Sequence, residues 1–223
     1  MRSGPVDPRL VSALREQLAM RRRLLGAGAT HVGWKLGTGE RESIGGEIAV
    51  GHLTSATGLD SGATYEAGPA DAELHADAEL AVEVGRGLEP GADAPSIRRA
   101  ITGYAAALEL VDLARVPGEP ESIVAGNVYH RAFAFGPWRA ELPGETEEAR
   151  LLVDGVERAR GRLEANVFER LVAAARLLGA VGERVSAGDR IITGLVVQVG
   201  AERGREIAAD LGPLGAARLA VGP

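Results

Sequence analysis

The segment His75 to Gly85, HADAELAVEVG, constrains this chain more than any other stretch. Its residues alternate. Ala78, Leu80, Val82 and Val84 fall on one face of an extended strand, and Asp77, Glu79, Ala81 and Glu83 on the other. Such a strand must bury its apolar face, and its acids then share the opposite one. Asp77 and Glu79 are two positions apart, so both carboxylates point the same way and repel each other unless a cation lies between them. A second predicted strand, Ala107 to Leu113, carries Glu109 between apolar neighbours, where a charge is costly to bury without a partner. Three carboxylates in a chain without cysteine make an oxygen-rich set, better suited to Mg²⁺ or Mn²⁺ than to zinc. Pattern alone leaves a second reading open, because alternating acids also suit a plain solvated face; Glu83 is assigned to such a solvated strand end.

The 223 residues are 45% hydrophobic and 25% charged, enough to bury a core. They are read as one domain over 1–223, with an N-terminal helical segment over 1–30 and a β-rich core over 31–223. Aromatic residues are only 4%, so Leu, Val, Ile and Ala must fill the interior. The absence of cysteine excludes disulfides, thiolate metal sites and a Cys nucleophile. A net charge of −6 argues against nucleic acid or an anionic membrane surface as the main partner. No apolar run is long enough to span a bilayer and the first residues lack a signal-like core, so the chain is expected to be soluble and cytoplasmic.

The remaining elements frame the acids. Asp7 and Pro8 open a predicted helix to Leu25, ended by Gly26 and Gly28. Arg21, Arg22 and Arg23 read as a solvated face near its C-terminus. A short strand, His31 to Leu36, leads into a Gly-rich loop from Gly37 to Gly46, expected to be a mobile loop beside a site. Ser96 is expected to cap a helix of about ten residues, SIRRAITGYA. Asp154-Gly155 between apolar runs predicts a hairpin over 151–159. Asn166, paired with Glu169 in a capping box, predicts a helix stopped by Gly179. A final β-rich stretch closes the chain.

Six segments occur in order: GWKLG (33–37), AVGHL (49–53), DAELAVEVG (77–85), AALELVD (106–112), ESIVAGNVYHRAFAFG (121–136) and AGDRIITG (187–194). Together they resemble the fumarylacetoacetate hydrolase superfamily, in particular its 2-keto-4-pentenoate hydratase and 4-oxalocrotonate decarboxylase branch. The resemblance implies an α+β fold: a mixed, curved β-roll with a small N-terminal helical region, assembled as a homodimer or larger homo-oligomer. It places the family's metal ligands on Asp77, Glu79 and Glu109, its lysine on Lys35, its substrate-binding asparagine on Asn127, and a substrate-approaching Thr-Gly on Thr193 and Gly194. The chain departs from the pattern at Asp77, where the family usually has Glu. It departs again at Thr54 to Thr57, TSAT, where the hydratases carry an aspartate.

The implied function is metal-dependent hydration of 2-hydroxy-2,4-dienoates, as in breakdown of aromatic compounds, through an enolate that a cation stabilises. The implied partner is a small 2-oxo acid. Lys35 would meet its carboxylate or the developing enolate oxygen. His52, next to the missing acid, is the candidate replacement acid/base. His75 is a weaker candidate. Asp112, on the face opposite Glu109, is expected to make structural hydrogen bonds, and Trp34 and Trp138 to pack in the core. None of His31, His52, His75 and His130 has Glu three residues later, which disfavours the family's C–C hydrolases. Decarboxylation of a 2-oxo acid and acylpyruvate hydrolysis are the alternatives in the same class. An inactive small-acid-binding protein is the alternative in another.

Overall fold

The computed structural model describes residues 5–39, 42–114, 118–142, 144 and 148–223. The chain opens with helix α1 (Pro8–Gly26), whose Asp7 cap accepts the Arg9 N–H at 2.9 Å. The apolar spacing of Leu10, Leu14 and Leu18 turns one face of α1 inward, together with Gln17. Four strands follow, β1 (His31–Gly37), β2 (Ala49–Thr54), β3 (Gly58–Leu59) and β4 (Thr64–Tyr65), and then the long β5 (Leu74–Val84). Helix α2 (Ala94–Ala100) leads directly into β6 (Ile101–Asp112), and α3 (Pro120–Ala125) into β7 (His130–Phe135). The rest is β8 (Glu148–Val153), β9 (Val156–Arg162), α4 (Val167–Ala180), β10 (Arg190–Gly200), β11 (Glu206–Asp210) and β12 (Ala216–Val221).

Among the described residues the strands form two sheets. The larger has the order β2-β1-β10-β5-β6-β7-β3 and the smaller β4-β12-β11-β8-β9. The larger sheet is mixed, since β1 runs parallel to β10 and β3 to β7 while its other pairs are antiparallel. Register shifts in β10 between Ile192, Leu195 and Val197 interrupt its ladder with β5, and Gly194 there takes φ 113°. Such irregularities bend and twist a strand and let a sheet curl. One face of β5 and β6 carries Ala78, Leu80, Val82, Leu108 and Leu110 into the main core. The other face carries the acids, and beyond them Ala81, Ala105, Ala107, Phe133, Ile192 and Leu53 form a second apolar cluster. The α+β, β-roll expectation is met. No described helix is long and apolar enough to cross a membrane.

Local expectations hold where short-range chemistry decides. Asp154 (φ 49°) and Gly155 (φ 77°) make the left-handed two-residue turn that joins β8 to β9. Three expectations need correction. The helix expected from Ser96 is shorter: Asp93 caps it, accepting from Ser96 N–H at 2.8 Å, and Ile101, Thr102 and Tyr104 already belong to β6. Those β-branched and aromatic residues pair well on a sheet and poorly in a short helix. Helix α4 runs through Gly179 to Ala180, and Asn166 makes no side-chain cap bond. Gly179 serves close packing instead, because a Cβ there would lie 2.6 Å from Pro90 Cγ. Finally, Arg21 is not on a solvated face: its guanidinium lies 4.9 Å from the Trp34 ring centroid and 3.3 Å from Glu183 Oε2.

Candidate metal centre

Antiparallel pairing of β5 with β6 sets Asp77 directly across from Glu109, and Glu79 across from Ala107. Residues directly opposite on adjacent antiparallel strands share a face, so register alone brings the third acid to the first two. The three side chains are buried, and each offers an oxygen within 4.8 Å of the others. Gln198 Nε2 donates to Asp77 Oδ1 at 2.7 Å, and the Gly194 N–H donates to Glu79 Oε2 at 2.6 Å. Glu109 Oε1 takes two partners, Lys35 Nζ at 2.5 Å and His130 Nδ1 at 2.6 Å. Its other oxygen, Oε2, is buried with no hydrogen-bond partner.

Burial first, and then the Glu109 charge, push the Asp77 carboxyl up to about 7. The same two causes, joined by Asp77, push Glu79 well above the ordinary range. Glu109 goes the other way. Burial would raise it, but Lys35 and His130 outweigh burial and hold it below the ordinary value. Asp77 and Glu79 therefore resist ionisation beside the charged Glu109 unless a cation joins them, in a site with little water to screen their charge. Three oxygen donors, one of them an orphaned buried carboxylate oxygen, fit a hard divalent cation such as Mg²⁺ or Mn²⁺.

The acids floor a cavity of ≈ 350 Å³, lined also by Lys35, Tyr129, Val111, Leu113, Leu195 and Gln198. Its wall includes Gly37, at the end of β1, and Thr38, Gly39 and Glu42 from the loop that follows; residues 40 and 41 of that loop lie outside the described residues. Glu42 Oε2 is buried without a hydrogen-bond partner, and a Cβ at Gly39 would overlap it.

Across the cavity, Asn127, Val128 and Tyr129 take φ of 64°, 54° and 62°. Three successive non-glycine residues in the left-handed region are costly, most of all for the β-branched Val128. The surroundings impose the conformation: Asn127 Oδ1 accepts from His52 N–H at 2.8 Å and its Nδ2 donates to His52 O at 3.1 Å. The result aims the Val128 carbonyl at Lys35 Nζ, 2.9 Å away, and sets Tyr129 in the cavity wall. Backbone strain of this kind concentrates at functional sites.

Of the expected site residues, the structure brings together Lys35, Asp77, Glu79 and Glu109, with Gly194 reaching Glu79 through its backbone. Three others stand elsewhere. Asn127 spends its amide on the His52 backbone and does not line the cavity. Thr193 donates its hydroxyl to Leu80 O at 2.8 Å, tying β10 to β5. His52 sits directly across from Trp34, whereas Lys35 is across from Gly51, so alternation turns His52 to the opposite face. There its Nδ1 lies 3.4 Å from Gln17 Oε1 beneath α1, and burial, then the positive charges of neighbouring groups, push it down to about 3. His75 points toward Glu73, at 3.4 Å. Asp112 accepts from the Glu73 and Ala114 backbone N–H groups and from Arg131, a structural role as expected. Trp34 is buried and donates to Asp189 Oδ2 at 2.9 Å.

His130, Glu42 and Gln198 were missed. Gln198 had a signal, as a lone amide inside the apolar run LVVQVG. His130 had none, because a register shift between Leu110 and Val111 decides which way it faces. Glu42 lies in a loop, where periodicity carries no information.

Comparison with solved structures reinforces the architecture. 4-Oxalocrotonate decarboxylase from Pseudomonas putida G7, complexed with calcium and acetate, superimposes with a TM-score of 0.83 at 22% identity, covering 95% of this chain and 85% of that one. The same decarboxylase complexed with magnesium and adipate gives a TM-score of 0.82 at 22% identity, covering 95% and 86%. Fumarylpyruvate hydrolase from Pseudomonas aeruginosa, in complex with Mn²⁺ and pyruvate, gives 0.63 at 19% identity, covering 86% and 89%. The fold is that of the fumarylacetoacetate hydrolase superfamily. No family model and no curated protein sequence matches the chain. Within this superfamily fold, the acid pair lies on β5, the third acid on β6 and the lysine on β1, all facing one cavity.

Proposed function

We propose that this chain is a divalent-metal-dependent enzyme of the fumarylacetoacetate hydrolase superfamily that acts on a small 2-oxo acid by way of its enol or enolate. One observation carries the reading: three buried carboxylates converge with an unpartnered oxygen of Glu109, and Lys35 stands beside them. The solved structures of like fold, reported with calcium, magnesium or manganese and with small acids, support it. Asp77, Glu79 and Glu109 would hold Mg²⁺ or Mn²⁺. When bound, the cation supplies positive charge against the negative charge that develops on the ketone oxygen of the substrate.

The chain's own residues do the rest. Lys35 keeps Glu109 ionised and places a fixed point charge at the cavity floor, next to where a substrate carboxylate would sit. Glu42 supplies the acid that TSAT lacks. Glu42 belongs to the cavity wall in the loop after β1, and its carboxylate is the group we assign to take a proton from water and return one to carbon. That role supports hydration of a 2-hydroxy-2,4-dienoate as the reaction, a lyase activity. Decarboxylation is the second reading, favoured by the decarboxylase of like fold and needing no base for water. We also propose a cytoplasmic homo-oligomer with one catalytic domain.

Incubation with 2-hydroxypenta-2,4-dienoate and Mg²⁺, followed by NMR, separates these readings. Hydration yields 4-hydroxy-2-oxopentanoate, stops in EDTA and falls sharply in Glu42→Gln. Release of CO₂ from an unsaturated 2-oxo diacid, without hydration, selects decarboxylation. Metal binding with no turnover across a panel of oxo acids overturns the enzymatic reading in favour of a small-acid binder.

A further inference from the structure

Glu109 binds its two oxygens to different tasks. Oε1 receives both Lys35 Nζ at 2.5 Å and His130 Nδ1 at 2.6 Å, while Oε2 receives nothing. A nitrogen–oxygen separation of 2.6 Å requires a proton between the atoms. Lys35 holds Glu109 as the carboxylate, so that proton belongs to Nδ1. The second ring nitrogen, Nε2, lies 2.9 Å from Thr57 Oγ1. Thr57 has one hydroxyl proton, and its other acceptor within reach, Thr54 O, is farther at 3.4 Å. Donation from Thr57 to Nε2 then leaves Nδ1 as the protonated nitrogen. His130 is buried and does not line the cavity, so it has no direct part in substrate contact.

We infer that His130, backed by Thr57, is a positioning residue that orients Glu109 so that Oε2, and not Oε1, is the oxygen offered to the cation. The inference rests on the metal reading above. Without His130, Lys35 alone holds Oε1, through a single rotatable ammonium shared with the Val128 carbonyl, a contact that can follow the carboxylate as it turns. The His130 ring, clamped at both nitrogens between β6 and the segment after β2, cannot follow. Outer partners of this type tune metal affinity by fixing ligand orientation.

The test is Mn²⁺ binding by isothermal titration calorimetry on the full chain, with thermal melts in EDTA alongside. His130→Leu removes the donor while filling space. It is expected to weaken Mn²⁺ binding roughly 10- to 100-fold. His130→Asn keeps a side-chain N–H near the place of Nδ1 and is expected to return affinity to within a few-fold of wild type. A purely structural histidine predicts no such rescue beyond what the melting temperature follows. Thr57→Val, which removes the hydroxyl and keeps the shape, is expected to weaken binding in the same direction by a smaller factor, and serves if His130→Leu does not fold. Wild-type protein that takes up no Mn²⁺ overturns the metal reading and this inference with it. Normal wild-type binding, with unchanged affinity in the folded His130 or Thr57 variants, overturns the role of His130 alone.

Discussion

Asp77→Asn should stabilise the metal-free protein while removing its ability to take up a divalent cation. In the native state burial and the nearby Glu109 lift the Asp77 carboxyl from 3.8 to about 7. A shift of that size corresponds to about 4 kcal/mol of penalty on the charged form. The sign follows from linkage. Below pH 3.8 both folded and unfolded chains hold the proton and no penalty exists. Between 3.8 and about 7 the unfolded chain releases its proton first, so stability falls as pH rises; above about 7 the penalty is complete. Asparagine carries no charge and keeps an oxygen for Gln198 Nε2, which now donates to Asp77 Oδ1 at 2.7 Å. Part of the penalty is shared with the neighbouring acids, so the expected gain at pH 8 is about 1–4 kcal/mol, or roughly 3–12 °C in melting temperature. Circular-dichroism melts in EDTA at pH 8 and pH 4 measure it, with the difference from wild type nearly vanishing at pH 4. Added Mn²⁺ at pH 8 should raise the wild-type melting temperature and leave the variant unmoved. An Asn variant that melts at or below wild type at pH 8 in EDTA would refute the argument that these acids repel one another in a buried site.

Two further perturbations probe the rest of the cavity. Lys35→Met leaves Glu109 as a buried charge supported only by His130; it should cost about 3–5 kcal/mol by denaturant unfolding, and abolish turnover. Gly39→Ala places a Cβ where Glu42 Oε2 now lies. The displaced carboxylate should lower kcat roughly 10- to 100-fold with little change in melting temperature, and an unchanged kcat would remove Glu42 from the reaction.

Much of the candidate centre was legible before any coordinates. Alternation in HADAELAVEVG put Asp77 and Glu79 on one face, and an acid inside an apolar strand marked Glu109 as needing a partner. The Asp7 cap and the Asp154-Gly155 turn were equally readable. In each case the information is local: side-chain direction along one strand, a cap, or a pair of left-handed residues depends on neighbours within a few positions. What the sequence by itself could not determine was long-range. The expectation for His52 failed because its direction is set by register with β1, where it lies across from Trp34 and not from Lys35. Asn127 looked like a substrate ligand, yet its amide clamps the His52 backbone to sustain a left-handed turn. His130 and Glu42 joined the centre through a register shift and a loop path, neither of which leaves a periodic trace. That Asp77 faces Glu109 was likewise decided only by how β5 and β6 pair, since a slip of one residue would send the third acid to the opposite face.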